Sequence, residues 1–180
     1  VVVDGSCTRH PVKGLQRATW AHVYLGPEEE LLWQTRGTVP RALPQTPQTA
    51  EHMAISQLAQ LMKQDTVVYG DCLSSNRLAI QPRAMKLGPR HMYSGFRKWA
   101  LNQPGNVFLE KVVHAKAHRS QEVMAALKPA ERRKALANEQ VDLAAKAALG
   151  MHPPVPDELA KDLEAAMFEF DQQIDEITEL

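Results

Sequence analysis

The order of strand-like and helix-like segments constrains the fold of this chain more than any other feature of its sequence. Three segments rich in β-branched or alternating apolar residues come first, at positions 1–7, 19–25 and 31–39, and such patterns indicate strands. The short, turn-like breaks between them predict an antiparallel meander. After a proline-containing loop at 41–49, the pattern changes to helix, strand, helices, strand and helix. This order favours an α/β fold in which helices pack on a mixed sheet.

The later elements are predicted from helical spacing and from short apolar runs. They are a helix at 50–63, a strand at 65–70, helices at 74–80 and 91–102, a strand at 106–113, and helical segments at 120–136 and 139–149. We expect a five-stranded sheet in which the three-strand meander is joined by two parallel strands, with helices on its flanks. Whether the last two segments are separate helices or one bent helix stays open.

The domain organisation follows from length and composition. A chain of 180 residues suits one mid-sized domain, which we place at 1–149, with an insertion at 119–137. Residues 150–156 form a proline-rich linker, and residues 157–180 form an acidic amphipathic helix as an appendage. The first residue is a valine inside a strand-like run, so we expect the chain to be a piece of a longer protein.

Charge is unevenly distributed although 21 basic and 21 acidic side chains cancel. Residues 83–134 carry twelve basic and three acidic side chains, whereas residues 139–180 carry two basic and eleven acidic ones. The basic stretch could face a polyanion, although charge alone more often marks a solvated helical face. The sequence holds no run of about 18 apolar residues, so no membrane span is expected. Cys7 and Cys72 are the only cysteines, which favours a reducing, intracellular compartment such as the cytoplasm or nucleus.

Four acidic residues occupy positions where a buried or half-buried carboxylate is otherwise hard to explain. They are Asp4 within the first apolar strand, Glu51 in the first turn of the first long helix, Asp71 directly after the fourth strand, and Asp142 in a late helical segment. Carboxylates gathered from these elements would repel one another unless cations lay among them, and oxygen ligands suit Mg²⁺. Two such ions could clamp the attacking and leaving oxygens of a phosphodiester.

These motifs together resemble the type 1 ribonuclease H family. The resemblance spans residues 1 to about 149 and rests on motif order: Asp4-Gly5-Ser6, Ala50-Glu51, Gly70-Asp71, Ala117-His118 and Asn138-Glu139-Gln140-Val141-Asp142. The last motif and the segment at 116–119 look most like ribonuclease H domains of retroelement reverse transcriptase polyproteins. The resemblance implies a ribonuclease H-like fold and an endonuclease that hydrolyses the RNA strand of RNA/DNA hybrids.

The resemblance also implies roles for individual residues. The metal ligands would be Asp4, Glu51, Asp71 and Asp142, holding two Mg²⁺ ions for which Mn²⁺ could substitute, and His118 would assist protonation or product release. The substrate contacts would be Gly5, Ser6, Cys7 and Gln48 on the RNA strand, with Ser74, Asn76, Arg97, Lys98, Lys116 and Arg119 as further candidates. The expected partners are an RNA/DNA hybrid and neighbouring polyprotein domains, reverse transcriptase among them, with no membrane.

Two other functions fit parts of the same sequence pattern. A catalytically inactive ribonuclease H-like module, binding nucleic acid or connecting domains, is kept open by the long insertion at 119–137. A DnaQ-like exonuclease would need a second acid two residues after Asp4, where Ser6 stands.

Tyr93, Phe96 and Trp99 recur at helical spacing, and aromatic residues in such a pattern more often form core than stack on bases. The two cysteines are expected to be small buried hydrophobes.

Overall fold

The elements follow the predicted order closely. The computed structural model describes residues 1–10, 12–79, 93–115 and 120–178. Its strands and helices are β1 Val2–Cys7, β2 Ala18–Leu25, β3 Leu31–Thr38, α1 Pro47–Leu61, β4 Thr66–Gly70, α2 Leu73–Ala79, α3 Ser94–Leu101, β5 Leu109–His114, α4 Gln121–Ala125, α5 Pro129–Ala147 and α6 Asp157–Thr178. Short 3₁₀ turns lie at Lys13–Leu15, Pro104–Phe108 and Ala148–Met151.

The five strands form one mixed sheet in the order β3-β2-β1-β4-β5. The pairs β1–β2 and β2–β3 are antiparallel, with Asp4 opposite Ala21. The pairs β1–β4 and β4–β5 are parallel, with Gly70 opposite His114. The predicted fold class is therefore confirmed. Because β1, β4 and β5 run in the same direction, their carboxyl ends meet at one edge of the sheet.

The sheet is covered on both faces, as the apolar alternation of β1 requires. On one face Val3 packs with Ala54, Ile55 and Leu58 of α1. On the other face Val2 belongs to the cluster that α5 completes. This two-sided packing fixes the position of β1 relative to both helices and thus brings residues of α1 and α5 towards the middle of the sheet.

One buried polar side chain ties the meander to α1. His22 on β2 is completely buried; its Nδ1 lies 2.7 Å from the Thr35 hydroxyl, and its Nε2 lies 2.7 Å from the Ala54 carbonyl. A carbonyl can only accept, so Nε2 carries the proton and Nδ1 accepts from Thr35. Its ring is flanked by Trp20 and Trp33 at 4.9 and 5.8 Å. Burial lowers the pKa of His22 to about 4.

Several predicted boundaries are wrong for local reasons. The first long helix begins at Pro47, because the Thr46 side chain caps it by accepting from Thr49 N at 3.1 Å and proline suits the first turn. Glu51 therefore lies beyond the first turn. The helical segment predicted at 120–136 breaks after Ala125 and restarts at Pro129. From Pro129 to Ala147, α5 is continuous, which answers the question left open for residues 136–139. β5 starts at Leu109 because a 3₁₀ turn precedes it.

One predicted helix begins next to a gap in the described residues. The predicted helix at 91–102 is seen as α3 from Ser94, and residues 91–92 lie outside the described residues.

Within the described ranges, no helix is both long and apolar enough to cross a membrane.

Candidate metal centre

Three carboxylates meet at the carboxyl edge of the parallel strands. Asp4 comes from β1, Glu51 from α1 and Asp71 from the residue after β4. Each offers one oxygen, and these oxygens all lie within 4.8 Å of one another. The parallel pairing of β1 with β4 explains the approach of Asp4 to Asp71, and the packing of α1 on β1 explains that of Glu51.

Gly5 makes the approach of Glu51 possible. A Cβ atom added at Gly5 would lie 2.5 Å from Glu51 N and 2.6 Å from the Ala50 carbonyl carbon. Such distances are far below van der Waals contact, so any other residue would push α1 away from β1. The glycine after Asp4 thus has a steric role in bringing two carboxylates of the cluster together.

Burial and repulsion from neighbouring carboxylates disfavour the ionised forms of Asp4 and Glu51. Asp4 and Glu51 are 8% and 7% exposed. Burial, followed by the charge of Asp71, raises the pKa of Asp4 to about 7, although Gly5 N donates to its Oδ1 at 2.8 Å. Burial and the charges of Asp4 and Asp71 raise the pKa of Glu51 well above its ordinary value. A bound cation would reverse this penalty.

The donor set fits a hard divalent cation. All three side chains provide carboxylate oxygens, which Mg²⁺ and Mn²⁺ prefer. The buried Oε2 of Glu51 finds no hydrogen-bond donor in the part of the chain that the structure describes, and a buried acceptor without a partner is costly. A metal ligand role would satisfy this oxygen.

Asp142 lies beside the cluster rather than within it. It is half-buried on α5, and its Oδ2 accepts from Lys146 Nζ at 2.7 Å, one helical turn further along. The charge of Asp142 is the smallest of the causes that shift the pKa of Asp4, so the two carboxylates interact electrostatically. The sequence predicted four converging acids; the structure brings three together and places the fourth at their side with its own counter-charge.

The predicted RNA-strand contacts lie along an open groove next to the carboxylates. Gly5, Ser6 and Cys7 line it with Arg9 and His10, and its volume is about 560 Å³. Gln48 is exposed one residue after Pro47, which also lines the groove. The Cys7 thiol is half-buried rather than core, and donates to the Gln45 carbonyl at 3.4 Å.

The candidates after Asp71 have different environments. Ser74 is exposed, and its hydroxyl lies 3.2 Å from the Cys72 sulfur. Burial opposes ionisation of the half-buried Cys72, but hydrogen bonds with Ser74 and Ser75 outweigh it and lower its pKa. Asn76 is buried and donates from Nδ2 to the Gly70 carbonyl at 2.7 Å. The Asn76 side chain thus anchors the end of β4, and its expected substrate contact stays a prediction.

The aromatic residues of α3 and its start form the wall of a second groove. Tyr93, Phe96 and Trp99 line a cavity of about 610 Å³ beside α1, so they are only partly the core that was expected. His52 stacks on Tyr93 with ring centroids 4.3 Å apart, a pairing that no local pattern in the sequence indicated. Of the two basic candidates on α3, Arg97 is half-buried and Lys98 is exposed. Lys116, His118 and Arg119 lie outside the described residues.

Comparison with known proteins rests on structure alone. No protein-family model matches the chain, and no curated protein sequence matches it. Among solved structures, RNase H1 from the halophilic archaeon Halobacterium salinarum matches with a TM-score of 0.51 and 15% identity, covering 84% of this chain and 96% of that one. The RNase H domain of prototype foamy virus (PFV) matches with a TM-score of 0.51 and 16% identity, covering 81% and 93%.

A larger viral protein shows the same similarity in part of its length. The foamy viral protease-reverse transcriptase, solved in complex with an RNA/DNA hybrid, matches with a TM-score of 0.57 and 15% identity. The match covers 84% of this chain but only 20% of that protein. Identities this low establish a shared architecture and not a shared activity. The structural matches and the strand order together show that this chain has the ribonuclease H-like fold.

Proposed function

We propose that the chain is an endoribonuclease that hydrolyses the RNA strand of RNA/DNA hybrids with two divalent metal ions. The observation that carries this proposal is the convergence of Asp4, Glu51 and Asp71 within 4.8 Å at the carboxyl edge of a ribonuclease H-like sheet. Structural neighbours that are ribonuclease H domains support it, because their fold matches that of this chain.

The carboxylates provide the ligands that such chemistry needs. Mg²⁺ held by Asp4, Glu51 and Asp71, with Asp142 beside them, would supply Lewis acidity at the scissile phosphate and a lowered pKa for an attacking water. Gly5 keeps β1 against α1, so that Asp4 and Glu51 stay at ligand distance. The burial of both acids keeps bulk water from screening their charges. In-line hydrolysis would leave a 3′ hydroxyl and a 5′ phosphate, and no side chain would need to form a covalent intermediate.

Recognition of the hybrid would rely on shape and on sugar hydroxyls rather than on bases. The groove lined by Gly5, Ser6 and Cys7 is open to solvent, and its lining begins at the residue after Asp4, so it suits the backbone of an RNA strand next to the cluster. Gln48 and Lys98 are exposed and free to reach further along a nucleic acid. Within this proposal, His118 keeps its expected role in protonation or product release, and Lys116 and Arg119 remain candidate substrate contacts.

A retroelement-type polyprotein with a reverse transcriptase is the proposed setting. One structural neighbour is a foamy viral protease-reverse transcriptase, and the motif string ending at Asp142 points in the same direction. Cleavage of RNA from a hybrid is the reaction that would follow DNA synthesis on an RNA template.

The experiment is cleavage of an end-labelled RNA/DNA hybrid in the presence of Mg²⁺, with Mn²⁺ as a second condition. Internal cuts in the RNA strand are expected, and Asp71→Asn should abolish them while hybrid binding persists. Asp65→Asn is a matched control, since Asp65 is an exposed acid at the opposite end of β4, and should retain activity. Stepwise loss from a 3′ end would instead identify an exonuclease.

The second candidate is a module that binds hybrid without cutting it. It is favoured by the ion pair of Asp142 with Lys146, which leaves this carboxylate outside the cluster. Hybrid binding by the unmodified chain without cleavage in either metal would establish this candidate and overturn the endonuclease.

A further inference from the structure

The carbonyl oxygen of Gly70, at the end of β4, accepts two hydrogen bonds. Ala115 N, from the residue after β5, donates to it at 2.9 Å, and Asn76 Nδ2, from α2, donates to it at 2.7 Å. A carbonyl oxygen has two lone pairs and can accept both. Because a peptide unit is planar, holding this oxygen also orients the amide nitrogen and the Cα atom of Asp71, which comes next in the chain.

Asparagine is an unfavourable residue at position 76. Its side chain is 4% exposed within α2, where an amide side chain forms helix less readily than leucine. Its Oδ1 is buried and finds no donor in the described part of the chain, and such an acceptor costs free energy. Turning the amide around would set Oδ1 against the Gly70 carbonyl, where two acceptors repel. The bond from Nδ2 to Gly70 offsets part of this cost, so we look for the role of Asn76 in that bond.

Glycine at position 70 lets the Asn76 amide come this close. A Cβ atom built on Gly70 would lie 2.8 Å from Asn76 Oδ1 and 3.3 Å from Val3 Cγ2. The first distance is below van der Waals contact, so any larger residue at position 70 would displace the amide. The end of β4 and the side chain on α2 therefore fit each other.

The Gly70–Asn76 contact lies directly beside the metal centre. Asp71 provides one of the three carboxylate oxygens that lie within 4.8 Å of one another, and Mg²⁺ tolerates little departure from ideal ligand geometry. Removing a group that orients a metal ligand typically weakens metal binding by roughly 10- to 100-fold. We propose that Asn76 is a positioning residue, which sets the affinity of the site for Mg²⁺ by holding Asp71 in place. The inference rests on the metal centre of the proposed function.

The first test uses Asn76→Leu in the full chain, because leucine has nearly the same shape and removes both polar atoms. The metal-free variant should unfold at the same temperature as the unmodified chain or higher, since the buried Oδ1 is gone and Gly70 keeps its bond from Ala115. The Mg²⁺ concentration that produces a given rise in unfolding temperature should increase about tenfold. A purely structural role would change the metal-free unfolding temperature and leave this Mg²⁺ dependence as it was.

Thr66→Val is the matched control. Thr66 is buried at the opposite end of β4, and its hydroxyl donates to the Gln64 carbonyl at 2.8 Å, so valine removes a similar bond far from Asp71. This variant should keep the Mg²⁺ dependence of the unmodified chain. Asn76→Ala repeats the test without the bulk of leucine and should show the same tenfold shift. Circular dichroism establishes that each variant is folded.

Cleavage of the labelled hybrid separates this inference from the proposed function. In Asn76→Leu the half-saturating Mg²⁺ concentration should rise by the same factor, with little change in the rate at saturating Mg²⁺ or in the KM for the hybrid. If Mg²⁺ stabilises the unmodified chain but no cleavage occurs, the endonuclease fails, and the unfolding temperatures still decide the role of Asn76.

Three results overturn the positioning role of Asn76. They are an unchanged Mg²⁺ dependence in both Asn76 variants, an equal shift in Thr66→Val, and a raised KM for the hybrid with no shift in the Mg²⁺ dependence. The absence of any stabilisation of the unmodified chain by Mg²⁺ would overturn both this role and the metal centre of the proposed function.

Discussion

Replacement of Asp4 by asparagine should stabilise the metal-free chain while it removes activity. Burial and the charge of Asp71 raise the pKa of Asp4 from 3.8 to about 7, so the folded chain resists its ionisation. At about 1.4 kcal/mol per pH unit, holding this carboxylate ionised at pH 8 costs about 4 kcal/mol relative to the unfolded chain. Asparagine keeps an oxygen that can accept from Gly5 N and carries no charge, so most of that cost should disappear.

The pH dependence of this gain has a definite sign. A carboxylate whose folded-state pKa is raised binds more protons in the folded than in the unfolded chain between the two pKa values. Metal-free protein should therefore lose stability as pH rises from about 4 to about 7, and Asp4→Asn should lack this part of the loss. Asp4→Asn should therefore be more stable than the unmodified chain at pH 8, and the two should be equally stable at pH 4.

Urea unfolding in EDTA, followed by tryptophan fluorescence, measures both effects, since Trp20 and Trp33 flank the buried His22. Added Mg²⁺ should stabilise the unmodified chain and leave Asp4→Asn nearly unchanged. Asp65→Asn, at an exposed site, should change neither. Equal stability of Asp4→Asn and the unmodified chain at pH 8, or a loss in the variant, would refute the repulsive cluster.

Three further predictions concern the frame that holds the site. With a His22 pKa lowered to about 4, the contribution of His22 to stability should fall as pH drops below 6.5, by about 2 kcal/mol at pH 5. The difference between urea titrations of the unmodified chain and of His22→Phe measures this contribution, because the raised pKa of Glu51 affects both proteins alike. Gly5→Ala forces a Cβ against Glu51 N and should cost about 1–3 kcal/mol, with cleavage lost at a temperature where the variant is still folded by circular dichroism. Thr46→Ala removes the cap of α1 and should lower stability by about 1 kcal/mol, measured by thermal unfolding.

The sheet was predictable because its signals are local. β1 to β3 match the predicted segments to within one residue at each end, since alternation and turn residues act over a few positions. The helix boundaries were less predictable, because they depend on single capping residues. Thr46 followed by Pro47 was a readable start signal for α1, and Pro129 was one for α5. Thr46 and Pro47 lie in the segment predicted as a loop at 41–49, and Pro129 lies inside the helical segment predicted at 120–136.

The site was predictable in its residue types but not in its geometry. The order of the acids indicated Asp4, Glu51 and Asp71, which share one centre in the structure. Their separation depends on the contact of Gly5 with α1, which joins residues far apart in the chain and leaves no periodic pattern. The buried position of Asn76 likewise follows from tertiary packing, with its side chain donating to the Gly70 carbonyl, and no local pattern in the sequence indicates it.

The ion pair of Asp142 is determined by the local sequence, whereas the surroundings of the three clustered acids are determined by the tertiary fold. Lys146 follows it by one helical turn, so their ion pair depends only on spacing within α5 and needs no metal. Glu51, by contrast, has a buried oxygen without a donor among the described residues, and its charge is opposed by Asp4 and Asp71. The repulsion that a bound cation would relieve therefore arises among the three clustered acids. A cation there would have to compete with Lys146 for Asp142, so the fourth acid can tune metal affinity but cannot create the site.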